Sequence, residues 1–454
     1  MDLLNQTLLT LNQIVWGAPL LLLVLITGIT LSVALQWVQF RYLGFALRAA
    51  VRPSRQDATG DISHFEALMT TLAGAIGTGS IVGVAAAVSI GGPGALFWMW
   101  VTALVGMAIK YAESLLAVKY RLIDVHGQMI GGPMEYMERG LGWRKIAILF
   151  AFLGGLAAIS TGNMVQANSI AEAVFSTWTV SPILCGILLV ILVGMVTLGG
   201  VKAVGRFAGV VVPFMALFYF LGGCIILWLH IDKVPAAFVH IFEDAFTGHA
   251  ALGGTAGSIL LTIQVGVARG IFTTEAGMGL PSIAAAAAKT DSPGRQAMIM
   301  MTGGLLSTIL ISTMTGLVLE VSGVLTSHGE PLIMSGASIA IEAFGQSIPY
   351  GNMIVTIGLI LFAYTTIIAW SYYGEKCAEY LFGARAIFPY RILFLTLVIP
   401  GATLDLQTVW LLADTINGLI TIPNLVALLA SVAILRKETA IFVRSIQTPL
   451  SKEK

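Results

Sequence analysis

Two stretches of this sequence bring glycines and hydroxyl side chains together where the flanking residues are almost wholly apolar. One reads Ala73-Gly74-Ala75-Ile76-Gly77-Thr78-Gly79-Ser80, followed by Gly83. The other reads Val267-Ala268-Arg269-Gly270-Ile271-Phe272-Thr273-Thr274-Glu275-Ala276-Gly277. A glycine costs about 1 kcal/mol in a helix interior, and in lipid a freed backbone group is costlier still unless something satisfies it. Such runs mark either close helix packing, where small residues let backbones approach, or an interruption that lines a cavity. Packing stays open for Gly74, Gly83 and Gly277. For the clusters 77–80 and 270–274 an interruption is expected. The second half of an interrupted helix starts with free N–H groups and a partial positive charge, here at Gly79, Ser80 and Ile81, which suits a carboxylate. The carbonyls left free before the break suit an ammonium group or Na⁺. A small zwitterion with a hard cation matches both ends.

Other polar residues at helical spacing extend this chemistry. Thr366 and Trp370 are four apart and share a helix face, so one face can offer a hydroxyl to a cation and a ring to a ligand. The plain alternative is that Thr365 and Thr366 bond back to their own helix and that Trp370 packs. A ring at a pocket wall would admit only a small side chain. Asn163 and Gln166, three apart, are either ligand contacts or bridges between helices, since buried amides need partners. Charges inside membrane segments usually face inward and pair. Lys110 and Glu113, one turn apart, read as a local ion pair. Arg269 and Glu275 flank the second cluster, and Glu275 has the further reading of a gate or proton path. His64 and Glu66 read as solvated at a span end. None of these charged residues is expected to touch the ligand.

The elements that must hold these residues follow from composition. Of 454 residues 57% are hydrophobic and 10% charged, against about 25% charged in an average soluble protein. An ordinary cytosolic enzyme is excluded, and three cysteines exclude a disulfide scaffold. A membrane helix needs about 20 mostly apolar residues, and eleven candidates lie near 14–38, 64–90, 94–120, 146–174, 181–200, 206–230, 252–286, 297–323, 350–374, 389–403 and 407–435. The first is not a cleaved signal peptide, because no Lys or Arg precedes it. Cytoplasmic loops collect Lys and Arg. Twenty-one of the 24 basic side chains fall on one side of this eleven-span layout, Lys233 alone falls on the other, and Lys110 and Arg269 lie within spans. The N-terminus is thus expected outside and the C-terminus in the cytoplasm, in the cell (inner) membrane.

The two clusters fall in spans two and seven, five spans apart. Five is odd, so spans seven to eleven enter from the opposite side to spans two to six. An inverted repeat with interrupted helices at matching places is the best sequence pointer to a transporter site. The layout is 1–63, an extra N-terminal helix and cytoplasmic linker; 64–230, a first five-helix repeat; 231–251, an extracellular linker; 252–435, the second repeat; and 436–454, a cytoplasmic tail. The net charge of +1 gives no reason to expect a nucleic-acid partner. An intramembrane enzyme would need a motif such as His-Glu-x-x-His, and an ATP-driven pump a Gly-Lys-Ser/Thr loop; neither occurs. A channel would need repeated pore loops.

The chain resembles the alanine or glycine:cation symporters. The resemblance rests on Gly77-Thr78-Gly79-Ser80-Ile81, Gly91-Gly92-Pro93-Gly94-Ala95-Leu96-Phe97-Trp98-Met99-Trp100, Lys110-Tyr111-Ala112-Glu113, Gly131-Gly132-Pro133-Met134, Gly162-Asn163-Met164-Val165-Gln166-Ala167-Asn168, Arg269-Gly270-Ile271-Phe272 and Trp370-Ser371-Tyr372-Tyr373-Gly374-Glu375. It implies an all-α polytopic membrane protein with a LeuT-like 5+5 inverted repeat behind one extra helix. It implies symport of alanine, glycine or another small neutral amino acid such as serine with Na⁺, or less often H⁺. No organic cofactor and no obligatory protein partner are expected beyond the lipid bilayer. Carried over by position, substrate contacts are Thr78, Gly79, Ser80, Gln166, Gly270, Ile271, Phe272, Thr273 and Trp370. A sodium site falls to Ala73, Ile76, Phe362, Thr365 and Thr366. Ser80 and Thr274 stand where most members have Asn. Serine reaches less far, so a second Na⁺ is not expected. Segment 331–346 is expected to fold as a lid over the outer vestibule.

Overall fold

In the computed structural model of the chain, residues 2–52, 58–247, 257–327 and 336–447 are described. Helix lies over every one of the eleven expected spans. Among the described residues seven helical stretches are each long and apolar enough to cross a membrane: Gly94–Lys119, Arg144–Trp178, Gly200–Leu229, Pro293–Ser322, Gly351–Phe382, Ala384–Thr403 and Leu406–Ala430. The other four fall short for visible reasons. Ala18–Ala34 is joined to a preceding helix through a 40° bend, Pro182–Thr197 is short, and spans two and seven are broken.

The spans regroup in space across the two sequence blocks. Gly94–Lys119 packs chiefly on Pro293–Gly304 and Gly257–Thr274, which joins spans three, seven and eight. Gly351–Phe382 packs on Arg144–Ile159, Val165–Trp178 and Gly200–Leu229, and Pro182–Thr197 on Val398–Thr403. The broken second span touches both groups. Burial follows this arrangement. Most of Gly94–Lys119 is inside the protein, whereas Ile183, Ile187, Ile191 and Met195 of the fifth span are exposed along one face, as a lipid-facing surface requires.

The second span starts on a capping box: Ser63 Oγ accepts from the Glu66 amide at 3.1 Å, and Glu66 Oε2 accepts from the Ser63 amide at 2.7 Å. Its helix His64–Ala75 stops at Ile76. A 3₁₀ turn, Thr78–Ser80, follows before helix resumes at Val82–Gly91. Gly77 is required there by close approach, because a Cβ would stand 2.5 Å from Thr366 Oγ1. This interruption lies where the sequence placed it.

The second interruption lies about one turn later than expected. Gly257–Thr274 is continuous helix, and the chain leaves it only at Glu275 before resuming at Ser282–Ala286. Gly270 is a packing glycine whose Cβ would meet Thr102 at 2.8 Å. The Thr273 and Thr274 hydroxyls donate to the Gly270 carbonyl at 3.1 and 2.8 Å, so these threonines stay within the helix. The left-handed residues are Glu275, Gly277 and Gly279, with φ of 55°, 93° and 78°. Gly277, for which packing stayed open, is a break glycine.

Of the expected lid, residues 331–335 lie outside the described residues. Gly336–Ser347 is a helix packed on Val82–Gly91 and on the start of Gly351–Phe382.

Candidate functional site

The two breaks meet around a small cavity of about 10 Å³, lined by Gly74, Ala75, Gly77, Gly79, Thr161, Gln166, Phe272, Glu275, Met278, Thr366, Trp370 and Asn417. That is the room of roughly one water, so an amino acid enters only as the walls part.

Five polar contacts build the wall from the first break outward. The Thr78 amide donates to Gln166 Oε1 at 3.2 Å, and Gln166 Nε2 donates to the Thr161 carbonyl at 3.0 Å. The freed N–H of the break is thus held by a neutral amide from span four. Thr161 Oγ1 donates to Asn417 Oδ1 at 2.8 Å, which ties span four to span eleven. Thr366 Oγ1 lies 2.8 Å from the Ala73 carbonyl and 2.9 Å from that of Phe362. The Thr78 and Ser80 hydroxyls have no hydrogen-bond partner, although both are buried.

Charged residues hold the second break. Lys110 Nζ donates to the Thr274 carbonyl at 2.6 Å. Glu113 Oε1 accepts from the amides of Gly277 and Gly279 at 3.0 and 3.1 Å, and from Asn424 Nδ2 at 2.7 Å. Lys110 and Glu113 therefore grip the two ends of the break rather than each other. Both end groups are backbone polar atoms that lipid cannot satisfy. Glu275 Oε1 accepts from Trp370 Nε1 at 2.7 Å, while Oε2 is buried without a hydrogen-bond partner.

Phe272 in the cavity wall is backed by a second ring and an ion pair. Phe272 stacks on Trp410 with centroids 5.4 Å apart, and Arg269 lies over both rings. Its guanidinium meets Asp414 in a two-point pair at 3.1 and 2.7 Å. The Glu275–Trp370 bond and Met278 also form part of the wall.

The expected substrate residues divide. Gly79, Gln166, Phe272 and Trp370 line the cavity. A Cβ on Gly79 would stand 2.5 Å from the Phe272 ring, so the first break meets there the helix that leads into the second. Thr78 reaches the cavity through its amide bond to Gln166. Ser80, Gly270, Ile271 and Thr273 are not in the wall: the Ser80 carbonyl accepts from Thr315, Gly270 faces Thr102, and Thr273 meets Thr308 at 2.9 Å. Of the expected sodium residues, Ala73, Phe362 and Thr366 are joined through one hydroxyl, and Thr365 Oγ1 bonds to the Phe362 carbonyl at 2.9 Å. Ile76 sits at the break itself. Thr366 thus bonds back to its own helix and also reaches across to span two.

Other residues depart from expectation. Glu275 was kept away from the ligand, yet it forms cavity wall. Thr161, Met278 and Asn417 also line it and carried no sequence signal of their own, because single polar residues or methionines in apolar helices are common. Asn163 donates to the Phe394 carbonyl and bridges helices. His64 is buried beside Gln296 rather than solvated.

Comparison with known proteins agrees along the whole chain. The model described as "Sodium:alanine symporter family" matches residues 1–453. The sodium/alanine symporter AgcS of Methanococcus maripaludis is 50% identical over 95% of this chain and 96% of its own. An uncharacterized transporter of Haemophilus influenzae is 46% identical over 96% and 95%. Among solved structures, MhsT in complex with L-phenylalanine superposes with a TM-score of 0.58, covering 80% of this chain and 88% of that one at 15% identity. That likeness shows the LeuT-like fold.

Proposed function

This chain belongs to the sodium:alanine symporter family, and on that premise we propose that it carries a small neutral amino acid, alanine or glycine before serine, inward with Na⁺ by alternating access. The family is one of secondary transporters and not of enzymes. One observation supports the placing of the substrate above the rest: the two helix breaks meet at one small cavity, whose wall carries the Trp370 ring and the amide of Gln166. The Trp370 ring at that wall limits the room beside the substrate and favours a side chain no larger than a methyl or hydroxymethyl group.

In this reading the substrate carboxylate lies at the start of the second half of span two, near Thr78, Gly79 and Ser80. Phe272 covers it, with Gly270, Ile271 and Thr273 behind. Gln166 and Trp370 close the flanks. Na⁺ takes the carbonyls of Ala73, Ile76 and Phe362 with the hydroxyls of Thr365 and Thr366. For Thr366 this means turning its proton away from a carbonyl it now meets at 2.8 Å. Sodium is the coupling ion, with H⁺ as the variant to test. The repeats 64–230 and 252–435 supply matched halves, with the N-terminus outside the cell membrane and the tail in the cytoplasm. A neutral zwitterion adds no charge, so each cycle moves about one positive charge inward. At 100 mV this contributes about 2.3 kcal/mol, or roughly 50-fold accumulation before the Na⁺ gradient is added.

Counterflow in proteoliposomes tests the reading. Vesicles loaded with unlabelled alanine and Na⁺ are expected to take up labelled alanine transiently above equilibrium, and Na⁺-driven uptake is expected to carry inward current. Uptake without overshoot is channel behaviour and would sink the carrier reading. Electroneutral uptake would sink the one-cation version.

A further inference from the structure

The transport reading leaves one large feature without a use. A groove of about 610 Å³ runs between the end of the first span and the C-terminal helix Val432–Gln447, and it shares no residue with the central cavity. One wall is a stripe of that helix, chiefly Ala433, Arg436, Lys437, Ala440, Val443 and Arg444, with Thr439 at its buried edge and Gln447 at its end, where Nε2 donates to the Tyr42 hydroxyl at 3.2 Å. The other is Ala34, Leu35, Gln36 and Tyr42.

This stripe is held in place from behind. Phe442 meets Phe45 edge-on at 6.1 Å and closes over Gly294. The hydroxyls of Thr439 and Tyr111 are 3.1 Å apart. Glu438, the sole acid of the helix, is turned to Lys119 at 2.8 Å. Arg436, Lys437 and Arg444 are exposed, and among the described residues no carboxylate lies within 4.0 Å of them. Three like charges are thus presented together over a floor of alanine, leucine and valine. A soluble anion would have no use for that floor.

The surroundings are those of a bilayer edge. Trp37 and Phe40, in the turn between Leu35 and Tyr42, are 46% and 50% exposed, as aromatic rings at headgroup depth are. On the same first-span helix, Leu22, Ile26, Ile29 and Val33 are exposed and lead toward the groove. We propose that this groove binds an anionic phospholipid: the phosphate on Arg436, Lys437 and Arg444, the glycerol against Tyr42 and Gln36, the acyl chains along the exposed face of the first span. Cations beside a membrane surface attract such headgroups. The bound lipid ties the first span to the helix Val432–Gln447. Its leaflet follows from the orientation proposed above, but its binding does not depend on that or on transport.

Native mass spectrometry of the full chain in detergent tests this directly. Phosphatidylglycerol and phosphatidylcholine with identical acyl chains are titrated onto three proteins: wild type, R436Q/K437Q/R444Q, and a control K145Q/K202Q/R206Q that removes the same charge from exposed sites elsewhere. Wild type and control are expected to bind phosphatidylglycerol alike and in preference to phosphatidylcholine. The groove variant is expected to lose affinity about tenfold or more, as three surface cations warrant. A lipid-free melting curve shows that the groove variant is folded, and the single variant K437Q, expected to lose about fivefold, replaces it if it is not. Equal phosphatidylglycerol binding by the groove variant and the control overturns the proposal. So does equal binding of the two lipids to wild type, or displacement of bound phosphatidylglycerol by millimolar glycerol phosphate, which marks a free-anion site. Because alanine uptake is not the readout, failure here leaves the carrier reading standing, and failure of counterflow leaves this one standing.

Discussion

The two helix breaks occupy matching spans, yet they are held by opposite means. The first is held by neutral groups: the Gln166 amide, the Thr366 hydroxyl and the Thr315 hydroxyl that bonds the Ser80 carbonyl. It keeps two buried hydroxyls, Thr78 and Ser80, without partners. The second is held by Lys110 and Glu113, whose charged groups already satisfy the Thr274 carbonyl and the Gly277 and Gly279 amides. Asn424 joins the same carboxylate and also donates to the Gly277 carbonyl at 2.8 Å. Hydrogen bonds to ionised groups are roughly twice as strong as neutral ones. The first break is therefore poised to trade its bonds for a ligand. The second is a joint whose backbone is already satisfied, with the side chains of Phe272 and Glu275 as its contribution to the cavity.

The largest expected effect comes from breaking the joint. E113A strips one acceptor from two amides and from Asn424, and leaves Lys110 as a buried cation with one anion fewer nearby. Removing one partner from a buried charged assembly costs about 3–5 kcal/mol. The variant is expected to melt far below wild type in detergent, with E113Q between the two because its carbonyl oxygen still accepts. If E113A melts with wild type, the second break is not a structural joint and the contrast between the breaks fails.

T366V is expected next. It removes the one hydroxyl shared by the Ala73 and Phe362 carbonyls while keeping shape. The Na⁺ concentration for half-maximal uptake is expected to rise at least tenfold, or about 1.4 kcal/mol, with melting close to that of wild type and with T366S restoring most of the affinity. A variant that transports normally but melts early would make Thr366 a packing residue and remove the cation from the first break.

How much of this was legible in the sequence follows from the same contrast. Gly77-Thr78-Gly79-Ser80 announced the first break correctly, because there the glycine that must approach Thr366 is itself the breaker. Gly270 announced the second break a turn too early. Its missing Cβ serves Thr102, and only backbone dihedrals distinguish it from Gly277. The pairing of Thr366 with Trp370 was visible as a four-residue interval within one helix. The roles of Lys110 and Glu113 were not, because their partners lie more than 160 positions away in span seven and a one-turn interval suggested a local pair. Glu275 was hidden for the related reason that a carboxylate beside a break looks like a rim charge until the fold turns it onto Trp370.

A smaller effect is expected at that carboxylate. E275Q keeps an oxygen for Trp370 Nε1 and removes the charge whose second oxygen faces no donor. Alanine KM is expected to rise about tenfold, since a charge-assisted contact contributes on the order of 1.5–3 kcal/mol, with a drop in melting smaller than that of E113A, because Lys110 loses a neighbouring anion while the break keeps its hydrogen bonds to Glu113. An unchanged KM would return Glu275 to a purely structural place and restore the sequence expectation that no charge touches the ligand.

The smallest and most discriminating effect concerns ion count. Ser80 sits at the first break with an unpartnered hydroxyl, where the resemblance noted in the sequence implies the longer asparagine. An oxygen one bond shorter reaches less far across the break, so one bound sodium rather than two is expected. Wild-type uptake is expected to depend on Na⁺ with a Hill slope near one, and S80N to raise that slope toward two with little change in maximal rate. The side-chain substitution leaves the other bonds of the break in place, because the contacts Ser80 makes, from its amide to the Gly77 carbonyl and through its carbonyl to Thr315, use the backbone. A wild-type slope already near two would show that another oxygen completes the second site. The first break would then hold more of its ligand set outside the Gly77–Ser80 run than the comparison of the two breaks allows.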